Sequence, residues 1–212
     1  QVNIHLIQIT LTNTCQLLPT ESIDKLLKNV LSSNQWEKAQ DDFNKSTTIY
    51  IIGNGGNLAV ADHGSVDITR LSKKLAIAPG SGIVATSVIG DSSINTWFIN
   101  WLKAHLDVQS SLDKSNSMLI GISSSGTAHN ICSCLSFAQK QSLRTLMISA
   151  RKLDQIKHSF NCVELGTDFY HTGEVISLML FYQLIHGSGS LCPSISEKVG
   201  KPSFDRLINE KD

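Results

Sequence analysis

The 212-residue sequence is poor in charge, in aromatic residues and in long apolar runs. Charged residues make up 17% of it, against roughly 25% in an ordinary soluble domain. Its 18 basic residues only balance its 18 acidic ones, so the basic face that nucleic-acid binding requires is not expected. No apolar run approaches the roughly 18 residues of a membrane span, and 41% hydrophobic content excludes general disorder. We expect a folded protein that binds neither nucleic acid nor membrane directly.

The five cysteines are odd in number and lack the spacing of a disulfide framework or a structural zinc site. Cys132 and Cys134 have no matching second pair. We expect reduced, mostly buried thiols, which are typical of a cytoplasmic protein. Residues 1–14 carry no basic lead and no small-residue cleavage motif, so they are not expected to be a signal peptide.

Short apolar runs alternate with longer helical patterns after Ser46, which is typical of an α/β fold. Several short runs are apolar throughout, as in strands that are buried on both faces of a parallel sheet. With helical crossovers they predict a three-layer α/β/α sandwich around a five-stranded parallel sheet. The predicted strands are Thr47–Ile52, Gly82–Ile89, Ser117–Ile122, Thr145–Ser149 and Asn161–Leu165.

Helices are predicted both before this core in the chain and at its end. A helix begins after Pro19 and continues at helical spacing to Leu31, and a polar helix covers Gln35–Phe43. The last helix, Thr172–His186, is apolar nearly all round, so this domain or another copy must cover it. The segment before Pro19 is either a short strand or a frayed helix. We expect one domain, with a helical segment of about 20–45, a core of about 46–186 and a tail of 187–212.

The first strand runs into a glycine-rich turn and then a helix, in the sequence Gly53-Asn54-Gly55-Gly56-Asn57. Glycines let a ligand approach the backbone, and a helix N-terminus presents unpaired N–H groups to an anion. The turn is not a P-loop, because no Lys-Ser/Thr follows, and Leu58 stands at the third glycine position of a dinucleotide motif. A purely geometric role of the glycines stays open.

The predicted strand Ser117–Ile122 ends in a run of hydroxyl groups, Ser123-Ser124-Ser125-Gly126-Thr127. Helix capping requires only one hydroxyl, so the run exceeds what a cap needs. Ligands of open parallel sheets bind beyond the carboxyl ends of the strands, where both segments are expected to lie. Hydroxyls and backbone N–H groups there predict a neutral cradle for a phosphate monoester.

These two segments, together with Ala59, Ala61 and His63, resemble the sugar isomerase (SIS) family. Within it the sequence is similar to phosphoheptose isomerases, which interconvert sedoheptulose 7-phosphate and a heptose 7-phosphate. The resemblance covers roughly residues 22–186 and implies a SIS fold, a phosphorylated sugar as ligand and a homotetramer with sites near its subunit interfaces. It assigns the phosphate and sugar contacts to a polar set: Asn54, Gly55, Asn57, Ser123, Ser124, Ser125 and Thr127.

The resemblance also assigns the catalytic positions to His63, Asp67 and Glu174. His63 and Asp67 are four residues apart on one helix face, where the family has a His and a Glu. Asp67 is then the base and His63 assists it. The pair would hold a divalent metal such as zinc if one binds, and no other cofactor is expected. The side chain of Asp67 is one methylene shorter than that of the family's Glu. The competing interpretation is that His63 and Asp67 form only a weak ion pair on the surface of the helix.

Other family groups are missing. The Gln and the metal-binding or acid/base His of the last helix become Gly173 and Phe181, and Asn-Asp becomes Asn100-Trp101. His171 could replace the lost acid/base, although an ordinary loop histidine is the simpler interpretation. His129 lies in the first turn after the serine loop, where it could reach the ligand, and packing or solvent exposure is the alternative. His186 lies at the predicted end of the last helix, where the helix dipole favours a positive charge.

Two functions therefore stay open at this point. One is an aldose–ketose isomerase that acts on a sugar phosphate such as sedoheptulose 7-phosphate. The other is a non-catalytic phosphosugar-binding or regulatory scaffold. It would resemble a relative that associates with a bacterial replication initiator and also lacks the histidine of the last helix.

Overall fold

The computed structural model describes residues 20–153 and 158–193, and for residues 20–22 it describes the backbone alone. The described residues form eight helices and a five-stranded parallel sheet, so the predicted three-layer α/β/α sandwich is confirmed. No helix in these ranges is both long and apolar enough to cross a membrane. The segment before Pro19 and the sequence beyond residue 193 lie outside the described residues.

Two helices precede the sheet, as the apolar spacing and the polar second segment predict: α1 Thr20–Leu31 and α2 Asn34–Asn44. The remaining elements follow in chain order. They are β1 Thr48–Gly53, α3 Gly56–Ser72, β2 Leu75–Ile77, α4 Gly82–Gly90, α5 Trp97–Leu106, α6 Ser111–Ser115, β3 Ser117–Ser123, α7 His129–Lys140, β4 Arg144–Ser149, β5 Asn161–Glu164 and α8 Tyr170–Gly187.

The strands lie in the order β2-β1-β3-β4-β5, and each neighbouring pair is parallel. The chain places β2 on one side of β1 and then β3 on the other, so the strand order reverses between β1 and β3. Gly53 pairs with Ile122, which brings the carboxyl ends of these two strands level. Sheets of this order bind ligands in the crevice outside that reversal point.

Each face of the sheet packs under its own helices. Ile49 and Ile51 of β1 face α1, α2, α3 and α8, whereas Tyr50 and Ile52 face α5 and α7. The two cores follow from the alternation of side chains along strands that are buried on both sides. This chain covers much of the apolar α8, including Phe181, which is fully buried.

One predicted strand is wrong, because Gly82–Ile89 forms helix α4 and the edge strand is Leu75–Ile77. The Ser81 hydroxyl oxygen accepts a hydrogen bond from the backbone N–H of Ile83, which caps the start of this helix. No residue of α4 is fully buried. Its β-branched apolar residues therefore do not mark a central strand.

The four described cysteines are free thiols, but they differ in burial. Cys134 is buried, Cys132 and Cys162 are half-buried, and Cys192 is exposed. The expectation of mostly buried thiols therefore holds fully only for Cys134. Cys15 lies outside the described residues.

Candidate functional site

The glycine turn after β1 and the serine loop after β3 line one cavity of about 330 Å³ at the reversal point of the sheet. The N-terminal turn of α8 supplies its third side. The lining residues are Asn54, Gly55, Gly56, Asn57, Ile122, Ser123, Ser124, Ser125, Ala128, Tyr170 and Glu174. Six of the seven predicted ligand residues thus share one cavity, and Thr127 adjoins it.

A pair of asparagine side chains joins the two loops. Asn54 Nδ2 donates to Asn130 Oδ1, and Asn130 Nδ2 donates to Asn54 Oδ1, both at 3.0 Å. Asn130 Oδ1 also accepts from the backbone N–H of Ile131 at 3.0 Å, which fixes it in the first turn of α7. Asn130 is not among the residues that the sequence motifs predict. Its only signal is an amide side chain just after the serine loop.

The serine hydroxyls of the loop are hydrogen-bond acceptors in their described contacts with the protein. Ser123 Oγ accepts from the Ala128 N–H at 3.5 Å, and Ser124 Oγ accepts from Asn57 Nδ2 at 3.0 Å. Ser125 Oγ accepts from the N–H and the hydroxyl of Thr127, at 3.2 and 3.1 Å. Since a hydroxyl can donate and accept at once, all three keep a hydrogen to donate to an anion.

Glu174 brings a carboxylate from α8 against the glycine turn. A Cβ at position 56 would overlap this carboxylate, so the absence of a side chain at Gly56 leaves room for Glu174 in this position. The side chain of Glu174 is 24% exposed, and the Nδ1 of the exposed His171 lies 3.7 Å from its Oε2. Among the described residues that line the cavity, Glu174 is the only charged one. Tyr170, which no sequence motif predicts, lines the cavity while remaining largely exposed.

His63 and Asp67 lie together, but they are not among the residues that line this cavity. Asn57, in the first turn of α3, lines the cavity. Because a helix rises about 1.5 Å per residue, His63 lies roughly 9 Å and Asp67 roughly 15 Å further along α3. His63 Nε2 is 3.2 Å from Asp67 Oδ2. Tyr182 Oη donates to Asp67 Oδ2 at 3.0 Å and lies 3.4 Å from His63 Nε2. No sequence motif predicts Tyr182.

The sequence is similar to a curated protein of known name. No family model matches the sequence. The phosphoheptose isomerase of Thermodesulfovibrio yellowstonii is 27% identical over 119 residues, which is 53% of this chain and 56% of that protein. The match therefore spans about half the length of this curated relative.

Solved phosphoheptose isomerase structures from Neisseria gonorrhoeae and Francisella tularensis have TM-scores of 0.66 and 0.63 to this chain. Their identities are 18% and 16%, and each alignment covers 80% of this chain and 94% of theirs. The chain has a sugar isomerase (SIS) fold. The resemblance to SIS proteins, and to phosphoheptose isomerases in particular, is confirmed.

In this chain the seam between α3 and α8 is closed beside His63 and Asp67. The ring of Phe181 packs against Gly64 and is fully buried. In the part of the chain that the structure describes, no three His, Cys, Asp or Glu side chains come together as a metal site. His63 and Asp67 alone are fewer ligands than a catalytic zinc takes from a protein. The residues present do not fit a metal centre, and we assign no step to a metal.

Three further groups that could take part in chemistry are not among the residues that line the cavity. Burial raises the pKa of Tyr182, and the hydrogen bond to Asp67 and its charge raise the pKa further, so the phenol keeps its hydrogen on Asp67. His129 Nε2 lies 3.4 Å from Ser133 Oγ on its own helix. His186 is exposed in the last turn of α8.

Proposed function

We propose that this SIS protein binds a sugar phosphate between the glycine turn and the serine loop and interconverts its aldose and ketose forms. The three serine hydroxyls that retain a donor hydrogen carry this proposal. A phosphate dianion accepts such hydrogen bonds, and the N-termini of α3 and α7, which start at the cavity, favour a negative charge. The phosphate is thus held without Lys or Arg, in agreement with the charge-poor composition.

The wall formed by α8 faces the sugar in this proposal. Tyr170 offers an aromatic ring to the apolar face of a sugar, and Glu174 offers carboxylate oxygens to its hydroxyl groups. Relatives named phosphoheptose isomerase make sedoheptulose 7-phosphate the first ligand to test.

Binding is tested by thermal unfolding and calorimetric titration. At about 100 times its Kd, sedoheptulose 7-phosphate is expected to stabilise the folded protein by about 2.7 kcal/mol, and sedoheptulose without phosphate far less. A hydrogen bond to a charged group contributes about 1.5–3 kcal/mol, so Ser125→Ala is expected to weaken binding roughly tenfold or more. Ser136→Ala, on α7 but outside the cavity, is the matched control. Equal stabilisation by both sugars would contradict the proposal.

Catalysis is tested by following hydrogen exchange in deuterated water. Isomerisation of sedoheptulose 7-phosphate passes a proton between C1 and C2, so deuterium is expected to enter C1. Tight binding without exchange would contradict the isomerase activity. It would leave the other predicted function, a non-catalytic phosphosugar-binding or regulatory scaffold.

We further propose that copies of this chain associate as a homotetramer in the cytoplasm. The apolar helix α4 carries no charged side chain, and Ile83 within it is 81% exposed. On α8, Val175 is exposed as well. Exposed apolar surface of this kind is typical of association sites. Light scattering after gel filtration is expected to give about four times the 23.2 kDa chain mass, and a monomer would contradict this proposal.

A further inference from the structure

We infer that Glu174, and not Asp67, is the base that moves the substrate proton; this inference rests on the proposed isomerase function. A general base must come within hydrogen-bond reach of the proton that it removes. Among the described residues, Glu174 is the only carboxylate that lines the cavity with the serine loop. A phosphate held by that loop places the rest of the sugar in the same cavity as this carboxylate.

Asp67 is already engaged elsewhere. Its Oδ2 accepts from Tyr182 Oη at 3.0 Å and lies 3.2 Å from His63 Nε2, while its Oδ1 is 3.8 Å from Arg70 Nη1. Its side chain is only 16% exposed. Asp67 therefore has its oxygens occupied, lies roughly 15 Å along α3 from Asn57 and is not among the residues that line the cavity.

The position of Glu174 suits proton transfer in three respects. The carboxylate lies against Gly56 at the start of α3, beside the glycine turn that lines the cavity. It is 24% exposed, so it is shielded from bulk water but open to the cavity. Nδ1 of the exposed His171 lies 3.7 Å from its Oε2, so a side chain in contact with solvent stands beside the carboxylate.

The step balances without any co-reactant. Glu174 takes a proton from C1 of the ketose, and the C–H electron pair forms the C1=C2 bond. The former carbonyl electron pair moves to O2, which takes a proton from solvent to give the enediol. O1 then returns a proton to solvent as the C1=O bond forms, and Glu174 gives its proton to C2. The product is the aldose, and Glu174 is restored as a carboxylate.

The test compares three carboxylate-to-amide changes of nearly equal size: Glu174→Gln, Asp67→Asn and, as the matched control on the surface of α2, Glu37→Gln. Loss of a general base typically costs about 100-fold or more in rate. Glu174→Gln is therefore expected to lower deuterium entry at C1 of sedoheptulose 7-phosphate by about 100-fold or more while binding persists. The other two variants are expected to retain exchange close to the wild-type rate.

A second variant keeps the test valid if Glu174→Gln fails to fold. Glu174→Asp keeps the carboxylate but withdraws it by one methylene, so its exchange rate is expected to fall between the wild type and Glu174→Gln. Wild-type exchange in Glu174→Gln, or its loss in Asp67→Asn alone, overturns the inference. Absence of wild-type stabilisation by the sugar phosphate overturns the proposed function instead. Binding by the wild type with no exchange overturns both the isomerase activity and the role of Glu174.

Discussion

The side-chain amides of Asn54 and Asn130 form two hydrogen bonds of 3.0 Å each, although 76 residues separate them in the chain. The pair connects the turn after β1 with the first turn of α7, and Asn130 is buried. Because each amide satisfies both the donor and the acceptor of the other, the two sides of the cavity are held at one separation. The geometry of the phosphate cradle therefore depends on a contact between two side chains of the protein itself.

Replacing Asn130 by Ala removes both amide hydrogen bonds and leaves Asn54 without its partner. The variant is expected to lose about 1–3 kcal/mol of unfolding free energy and to bind sedoheptulose 7-phosphate more weakly. Urea unfolding and calorimetric titration measure the two effects. Asn29→Ala, at an exposed position of α1, is the matched control. Unchanged affinity in Asn130→Ala would show that the pair does not shape the cradle.

Gly126 gives the serine loop its shape. Its φ is +68°, and a Cβ there would overlap the side chains of Leu153 and Ser149. Gly126→Ala is expected to cost at least about 1–3 kcal/mol in stability and to weaken phosphosugar binding. Gly82→Ala, in the first turn of α4 with open space around it, is expected to be neutral or to stabilise by up to about 1 kcal/mol. Equal effects of the two substitutions in thermal unfolding would contradict this account.

The contact between Tyr182 and Asp67 is structural in this account. Tyr182→Phe removes the donor to Asp67 Oδ2 and is expected to lower the unfolding free energy by about 1 kcal/mol. Tyr170→Phe, at an exposed position with no described side-chain hydrogen bond, is the control for stability. Exchange at C1 of sedoheptulose 7-phosphate is expected to persist in Tyr182→Phe, and its loss would point to a site at the α3–α8 seam.

Stability is expected to fall in alkaline solution. Burial raises the pKa of Cys162 from 9.0 to about 12, and the negative charges of Glu164 and Cys132 contribute to the increase. Below pH 9 both the folded and unfolded thiols are protonated, so this group adds no pH dependence. Between pH 9 and 12 the unfolded thiol loses its proton while the folded one keeps it. This lowers the unfolding free energy by up to about 1.4 kcal/mol per pH unit.

Cys162→Ser removes that contribution, so its stability is expected to decline less steeply above pH 9 than that of the wild type. Cys192→Ser, at an exposed thiol, is expected to change the slope less. Urea titrations at several pH values from 8 to 11 give the slopes. A wild-type slope in Cys162→Ser would show that this thiol does not titrate as described.

The sequence predicts the central sheet well because strands covered on both faces need continuous apolar runs. Four predicted strands correspond to β1, β3, β4 and β5. The edge strand β2 has only three residues, so its apolar run is shorter than the roughly four to eight residues that mark a strand in a sequence. Helix α4 has the composition of a strand, and only the cap at Ser81 distinguishes it. Composition alone cannot separate a short buried strand from an apolar helix.

The two ligand segments were predictable for a different reason. The carboxyl ends of neighbouring parallel strands must meet at one edge, so local motifs such as the serine loop suffice to place the cavity. The pairing of Asn54 with Asn130 depends on how α7 packs, and no local pattern reveals it. The separation of Asp67 from the cavity follows from the direction of α3 and from the packing of Phe181 on Gly64. Such contacts between distant segments are set by packing.

A crystal structure with sedoheptulose 7-phosphate bound tests the central claim most directly. The account predicts phosphate oxygens within hydrogen-bond distance of the Ser123, Ser124 and Ser125 hydroxyls, and C1 of the sugar against the Glu174 carboxylate. A phosphate bound beside His63 and Asp67, or a sugar whose C1 points away from Glu174, would contradict it.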